Sequence, residues 1–532
     1  MGLGLRRAAT AGHAGAGRRR APPRRTRAIG APRSPGAPAA ARVALGDHLR
    51  PQRPSRTPGR GLAIRALRGA VPLAVGAALY LTPTPAGLTG SAWSYFALFS
   101  AVIAGLITEP LPGPVIGLLG ITVAAAARLV ASAPDEAARW ALGGFAHGTV
   151  WLIFVAFMFG LGYEKTGLGR RLALMLVREL GRRTLGLGYA VALADLVLAP
   201  FTPSNTARSG GMIFPIIKSI PPLYGSGPGT GARRMGAYLM WTAFAATGVT
   251  SSMFLTANAA NLLAVSLMKE TAGISVGWTE WAVGFLPVGI VLFLALPALV
   301  YLLYPPEVKV SKEVPAWAAR ELARMGALTP KEALMGGIAA LALALWVFGG
   351  AWVNPTTVAL AALCLMILGR ILTWPDILAY TEAWRVLVWF ATLVTLAEGL
   401  GRVGFLGWFA ERTTRALAGM PTGILLALLV TVFFIAHYMF ASLTAHTTAL
   451  LPVFLAAGLS VPGVPPRPLA LLLCYAIGLM GVLTPYATGP APIYFGSGYI
   501  SRRDFWILGA LFGGVFLLVL LTLGMTWLRA VD

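Results

Sequence analysis

The sequence APFTPSNTARSGG, residues 199–211, decides the fold class of this protein. It follows an apolar span that carries Asp195 and precedes an apolar run, 212–217, that is too short to cross a bilayer. A spanning helix needs about 20 residues. The chain is therefore predicted to enter and leave the membrane on one side, as a re-entrant hairpin near 202–218. Non-helical backbone is tolerated at that depth only where it lines a cavity or packs inside protein.

The polar residues of this stretch predict an anion site. Pro203 stops a helix, and Ser204, Asn205 and Thr206 then place hydroxyls and an amide near the free N–H groups of the next half-helix. The planar guanidinium of Arg208 suits a carboxylate in bidentate geometry. A plain helix cap between two spans is the alternative interpretation.

A second copy of the pattern is FASLTAHTT, residues 440–448, followed by another short apolar run. It predicts a second hairpin near 442–459. Ser442 and Thr444 match the first copy, Leu443 replaces the amide, and His446 stands where the first copy has Arg208. Histidine can donate a hydrogen bond or respond to protons, although a lone histidine in an apolar run is more often a packing residue.

Each hairpin is followed by a polar, interrupted span. The first interruption carries Thr256, Asn258 and Asn261, and the second, LTPYATGPAP from 483 to 492, carries Thr484 and Thr488. Several prolines cannot sit in one continuous helix, so the backbone must unwind and expose carbonyls. Such a break can hold a carboxylate or a cation; a loop at the membrane surface is the alternative.

The composition agrees with a membrane protein. Of the 532 residues, 57% are hydrophobic and 12% charged, with a mean hydropathy of +0.73, whereas soluble domains are about 25% charged. The net charge of +24 suggests a nucleic-acid binder, but most of the excess positive charge lies in one short N-terminal segment. Residues 1–68 contain 16 Arg and one acid, a composition typical of an organellar transit peptide, expected to be disordered. No nucleic-acid partner is expected.

Two halves are predicted, 69–304 and 334–532, separated by a charged aqueous linker, 305–333. Apolar runs recur through both halves, and short matches repeat in the same order at an offset of 237 or 238 residues. Paired repeats are a common plan of secondary transporters, with the substrate site where interrupted helices of both halves meet. The cysteines, Cys364 and Cys474, lie in apolar runs, so no disulfide framework or thiolate metal site is expected. No other metal site and no cofactor are expected.

The charge balance at the hairpins suggests the ligand. Two half-helix N-termini supply about +1 together, and a dicarboxylate brings two negative charges. The missing charge must come from Arg208, from protonated His446 or from a co-bound cation. An arginine in the site would favour obligatory exchange, because the empty site would be costly to reorient, whereas a bound cation would favour symport.

The stretches TPSNTARSGGMIFPI, 202–216, LMWTAF, 239–244, and TPYATGPAPIYFG, 484–496, closely resemble the divalent-anion:sodium symporter family. Within it they are most similar to the plastid 2-oxoglutarate/malate translocators (dicarboxylate transporters) of plants and algae. The resemblance covers roughly 69–532. It implies an all-α polytopic fold with two inverted repeats and re-entrant hairpins, a scaffold domain, and a transport domain that moves as an elevator, in a homodimer. It also implies unwound segments at 256–261 and 484–488 and a motif that contacts the carboxylates and a cation. This motif falls on Ser204, Asn205, Thr206, Ser442 and Thr444.

The leading functional hypothesis is a multi-pass transporter of the chloroplast inner envelope that exchanges 2-oxoglutarate for malate. Its partners would be small dicarboxylates and the lipid bilayer. A glutamate/malate exchanger and a sodium-coupled dicarboxylate symporter are the alternatives within transport. A membrane enzyme that uses His437 and His446 is the alternative outside it, but no hydrolase or metalloprotease signature supports that hypothesis.

Overall fold

The computed structural model describes residues 58–417 and 419–531. Most of the predicted leader, 1–57, lies outside the described residues, whereas its last part, 58–68, is helical because α1 begins at Pro58. The first half contains α1 to α11: Pro58–Leu81, Gly90–Thr108, Gly113–Ala126, Pro134–Gly143, Gly148–Thr166, Leu168–Leu180, Thr184–Leu198, Phe214–Lys218, Gly236–Met253, Ala259–Ala272 and Trp278–Leu303.

The linker forms α12, Glu313–Met325, an amphipathic helix that packs along α6. The second half contains α13 to α23: Pro330–Phe348, Pro355–Leu368, Trp374–Ala379, Thr381–Arg402, Phe405–Leu417, Thr422–Ala436, Leu443–Leu459, Pro466–Leu479, Pro490–Gly496, Arg502–Val519 and Met525–Val531. Within the described residues, eight helical segments are long and apolar enough to cross a membrane. The predicted all-α polytopic fold is confirmed.

The two predicted hairpins are present with matching parts. Hairpin 1 (184–218) consists of α7, a short 3-10 turn, an extended tip at 202–204, a π-helical stretch Thr206–Ile213 and α8. Hairpin 2 (422–459) consists of α18, a 3-10 turn, a tip at 440–442 and α19. Since α7 and α18 begin 238 residues apart, the weak sequence repeat corresponds to a structural one.

The repeats are inverted, as seen from α5 and its counterpart α16. Ring centroids lie 4.7 Å apart for Phe154 and Trp384 and 6.4 Å apart for Phe157 and Tyr380. The later residue of α5 thus contacts the earlier residue of α16, so the two helices run antiparallel.

The bases of the hairpins lie on opposite faces. At the face that we call the linker face, the Thr184 amide at the base of hairpin 1 donates to the Lys309 carbonyl of the linker (3.1 Å). Helix α13 starts there and ends at the other face, where the Thr279 hydroxyl donates to the Val347 carbonyl (3.0 Å). Hairpin 2 begins at that second face, since Gly423 lies beside Arg529 of α23, and α23 contacts the start of α11 through the Trp527 indole, which donates to the Val283 carbonyl (3.0 Å).

Short breaks interrupt the helices that follow the hairpins. Helix α9 stops at Met253, a 3-10 turn covers Leu255–Ala257, and α10 starts at Ala259. In the second half α20 continues as a 3-10 turn to Val482, and α21 starts at Pro490. The predicted interruptions are therefore present. Residues 255–258 of the first break are buried, whereas the second break also has exposed residues, Tyr486 and Gly489.

Candidate substrate site

The tip of hairpin 1 presents its polar side chains as the sequence predicts. The Ser204 hydroxyl accepts a hydrogen bond from the Ala207 amide (3.2 Å), which caps the following helix. Ser204 and Asn205 are half-buried and Thr206 is exposed. The tip therefore offers hydroxyl and amide groups at a helix N-terminus, the arrangement that favours an anion.

The tip of hairpin 2 repeats this geometry. The Ser442 hydroxyl accepts from the Ala445 amide (3.3 Å), and both Ser442 and Thr444 are half-buried. Leu443, which replaces the amide, is buried and offers no polar contact. The two tips are alike in the hydroxyl that caps the helix and differ in the amide.

Hairpin 1 meets the break of the second half. The Asn205 side-chain amide donates to the Thr488 hydroxyl (2.9 Å). A Cβ on Gly489 would lie 1.8 Å from the Thr206 hydroxyl oxygen, so only glycine permits this approach. Asn205, Thr206 and Thr488 are therefore brought together, whereas Thr484 is buried and accepts a long bond from the Tyr486 amide (3.4 Å).

Hairpin 2 meets the broken helix of the first half, since α19 packs along α10. At that break the Thr256 hydroxyl donates to the Pro200 carbonyl, and the Asn261 amide nitrogen donates to the Ser251 carbonyl (2.7 Å). The Asn258 carboxamide oxygen caps α10. Asn258 Nδ2 and Asn261 Oδ1 are buried without a partner in the described part of the chain. Buried polar groups without partners are uncommon, so these two atoms are free to meet a ligand.

Arg208 is where the structure departs from the expectation. Its side chain is fully buried, and Nε donates to Asp195 Oδ1 (3.2 Å). Nη1 donates to the carbonyls of Thr202 and Ala257, both at 2.7 Å. Nη2 donates to the Ser251 hydroxyl (3.0 Å).

A fifth, longer contact joins Arg208 Nη2 to the Thr250 hydroxyl (3.5 Å), and that hydroxyl also donates to Asp195. A guanidinium has five N–H groups, and all five are used inside the protein. The charge of Arg208 is paired with Asp195, so in this structure it is not the free counter-charge for a carboxylate that the sequence suggested.

The histidines of hairpin 2 differ from each other. His437 Nε2 lies 2.9 Å from the Ala487 carbonyl, and since a carbonyl only accepts, this nitrogen carries the proton. His446 is fully buried, and neither ring nitrogen has a partner among the described residues. Its ring packs against Phe433 and Phe440, with centroids 4.4 and 4.9 Å away, and against His437 at 5.1 Å.

A cavity of about 330 Å³ joins the tip of hairpin 2 to the start of α16. The start of α16 lies at the linker face, because the preceding Asp376 pairs with Lys165 at the end of α5, next to the linker-packed α6. Ser442 and Ala445 line its deep side. Residues of the α2–α3 connection and of the start of α16 line the remainder. The sequence did not reveal this cavity, because its walls come from three separate parts of the chain.

The comparisons with known proteins agree with this architecture. Residues 65–531 match the family described as the sodium:sulfate symporter transmembrane region. The chain belongs to this family. It is therefore a membrane transporter and not an enzyme, as predicted from the sequence.

Two similar relatives are bacterial antiporters. The chain is 47% identical over 474 residues to the L-tartrate/succinate antiporter of Escherichia coli strain K12, covering 86% of this chain and 97% of that protein. It is 46% identical over 473 residues to the L-tartrate/succinate antiporter of Shigella flexneri, with the same coverage. These relatives do not support the plastid subgroup or the chloroplast specifically.

A solved structure shares the fold. The crystal structure of the Alcanivorax borkumensis YdaH transporter, which has an unusual topology, aligns with a TM-score of 0.50 at 19% identity. The alignment covers 78% of this chain and 97% of that one. At this identity the likeness concerns the fold alone.

Proposed function

We propose that this protein exchanges small dicarboxylates across a membrane by antiport. The observation that carries the proposal is the 47% identity, over nearly the whole length, to L-tartrate/succinate antiporters. The two capped hairpin tips offer one anion-binding N-terminus for each carboxylate of such a substrate. Ser204, Asn205, Thr206, Ser442 and Thr444 are the proposed contacts.

The polar atoms at the helix breaks complete the proposed site. Asn258 and Asn261 have buried polar atoms without partners, and Thr256, Thr484 and Thr488 surround the unwound backbone. Substrate groups other than the carboxylates, such as a hydroxyl or a keto oxygen, would be recognised here. An unpaired polar group favours the substrate that satisfies it.

Occupied backbone carbonyls at the helix breaks support exchange without sodium. The carbonyls of Thr202 and Ala257, which an unwound segment could offer to a cation, already accept from Arg208. In the second half the Ala487 carbonyl is bonded by His437. Side-chain donors thus already occupy three carbonyls that the unwound segments could offer to a cation, which supports exchange over the sodium-coupled alternative.

A dicarboxylate bound at the two tips would keep about one uncompensated negative charge. The two helix N-termini contribute about +1 against the −2 of a dicarboxylate, and the Arg208–Asp195 pair contributes nothing net. His446 lies within the first turn of hairpin 2, and its ring nitrogens have no partner in the described part of the chain. We propose that a ring nitrogen of His446 hydrogen-bonds a substrate carboxylate.

The transport cycle and assembly follow from the resemblance. We propose that both hairpins and the broken helices move together as the transport domain against a scaffold, as an elevator, and that two chains form a homodimer. The inverted repeat supports this because it provides equivalent hairpins that approach the site from opposite faces.

The narrower hypothesis is exchange of 2-oxoglutarate for malate at the chloroplast inner envelope. It rests on the motif resemblance and on the Arg-rich leader, whereas the bacterial relatives favour four-carbon dicarboxylates such as L-tartrate and succinate. Glutamate/malate exchange is the remaining alternative. Uptake of the tagged leader by isolated chloroplasts would test the location separately from the substrate.

Proteoliposomes test the function directly. We expect labelled succinate to enter only when the lumen holds L-tartrate, succinate, malate or 2-oxoglutarate, at the same rate with sodium or potassium outside. Thr444→Val should raise KM, whereas Thr447→Val, whose hydroxyl only bonds the Leu443 carbonyl within the helix (2.8 Å), should not. Uptake into empty vesicles that requires sodium would overturn antiport, and internal 2-oxoglutarate or glutamate as the preferred counter-substrate would decide among the narrower hypotheses.

A further inference from the structure

The cavity between the linker face and hairpin 2 has a chemistry that the binding site does not use. Besides Ser442 it is lined by Arg385 and Trp389, which lie four residues apart on α16. Side chains at this spacing share one face of a helix. The arginine and the indole ring therefore form one strip along the wall of the cavity, leading from the linker face toward the tip.

Both side chains have unused hydrogen-bond donors. Arg385 is exposed and makes no ion pair or hydrogen bond with any of the described residues. The indole N–H of Trp389 is buried and has no acceptor there either. A buried donor without a partner costs free energy unless a ligand or water satisfies it. A cationic fork with an indole N–H one turn deeper is suited to a carboxylate.

Two acidic residues share the cavity wall. Glu109 and Glu382 line it with Arg385, and neither forms an ion pair within 4.0 Å in the described part of the chain. They make the rim weakly repulsive to anions. A transport pathway needs such a balance, because binding on the way must be weak enough for the substrate to leave.

We propose that Arg385 and Trp389 form a docking point that holds one carboxylate of the substrate between the linker face and the hairpin tips. Arg385 is then a specificity-determining residue for uptake from that face, and Glu109 and Glu382 limit how long the anion stays. This inference rests on the proposed dicarboxylate transport. It adds a second, transient contact that acts from one side of the membrane only.

The test compares KM for substrate supplied at the linker face with KM for substrate supplied at the opposite face. KM and maximal rate for succinate would be measured in right-side-out and in everted vesicles from the expression host, which expose opposite faces. In water, two unit charges about 4 Å apart interact by about 1 kcal/mol, so Arg385→Gln should raise KM about fivefold from the linker face. From the opposite face KM should not change, and the maximal rate should be retained.

Three further variants complete the charge series. Glu382→Gln should lower KM from the linker face, because it removes a repulsion, and Trp389→Phe should raise it by about twofold through loss of one N–H donor. Arg402→Gln is the matched control, since Arg402 lies at the other end of α16 and pairs with Glu398 (2.7 Å). It should change neither KM.

Clear outcomes would overturn the docking point. An unchanged KM in Arg385→Gln, an equal rise from both faces, or a rise in both Arg385→Gln and Glu382→Gln would each contradict it. Failure of the wild-type protein to exchange any dicarboxylate would instead refute the proposed function, and that result is visible before any variant is made. Thermal melting of each purified variant separates a change in KM from misfolding.

Discussion

Substituting Arg208 tests whether its buried ion pair is structural. Arg208→Gln leaves the Asp195 carboxylate, 2% exposed, without its cation. Removing one partner of a buried pair typically costs about 3–5 kcal/mol. Because whole proteins are stable by only about 5–15 kcal/mol, the variant should lose a large part of its free energy of unfolding.

The measurement is unfolding of the purified transporter in mixed micelles with a rising fraction of SDS, followed by intrinsic fluorescence. Arg208→Lys keeps the charge but has three N–H donors in place of five, so it should be intermediate. The double variant Asp195→Asn with Arg208→Gln removes both charges and should regain part of the loss, with a coupling of about 0.5–3 kcal/mol.

Two results would refute the structural role. One is a loss below about 1 kcal/mol in Arg208→Gln, and the other is a double variant no more stable than the single one. A stable Arg208→Gln variant with a strongly raised KM would restore the original hypothesis that the guanidinium binds a substrate carboxylate. The double variant carries a further expectation: with the carbonyls of Thr202 and Ala257 freed, its exchange should become sensitive to sodium.

Two more predictions concern packing and pH. Gly489→Ala places a methyl group 1.8 Å from the Thr206 hydroxyl oxygen, so the transport rate should fall at least tenfold. Gly496→Ala is the control and should transport normally, because its Cβ would meet nothing within 4 Å. Equal activity of the two variants would contradict the tight contact. Lys165 beside Asp376 (2.5 Å) lowers the pKa of that carboxyl to about 2, so the stabilisation is present above pH 4 and lost as pH falls toward 2. The difference in melting midpoint between wild type and Asp376→Asn should therefore shrink over that pH range, and a constant difference would argue against the pair.

Much of the fold could be predicted because membrane segments obey simple rules. Apolar length marks the spans, and the prolines and polar clusters mark where helices stop. The sequence indicated the tips and second arms of the hairpins, because the short runs after each tip cannot cross a bilayer, but it did not indicate that α7 and α18 are their first arms. The inversion of the repeats was implied only by the resemblance to the family. In the structure it follows from the aromatic contacts between α5 and α16, which show that these equivalent helices run antiparallel.

The ion pair between Asp195 and Arg208 could not be predicted from the sequence. Asp195 and Arg208 are 13 residues apart with a non-helical tip between them, so no helical periodicity relates them. The sequence showed a charge near a predicted anion site, and the carboxylate that neutralises it comes from the other arm of the same hairpin. Similarly, the spacing of Arg385 and Trp389 is visible in the sequence, but the cavity beside them is created by α2, α3 and hairpin 2 together.

The crossed arrangement of the hairpins has a consequence for stoichiometry. The tip of the first hairpin bonds a threonine of the second half, and the second hairpin packs along a helix of the first half. If the proposed site is correct, neither half completes it alone, and we expect the internal duplication to yield one composite site rather than two. Each chain should therefore carry one substrate molecule per half-cycle, and titration of the purified protein should saturate at one dicarboxylate per polypeptide whatever the number of chains in the assembly.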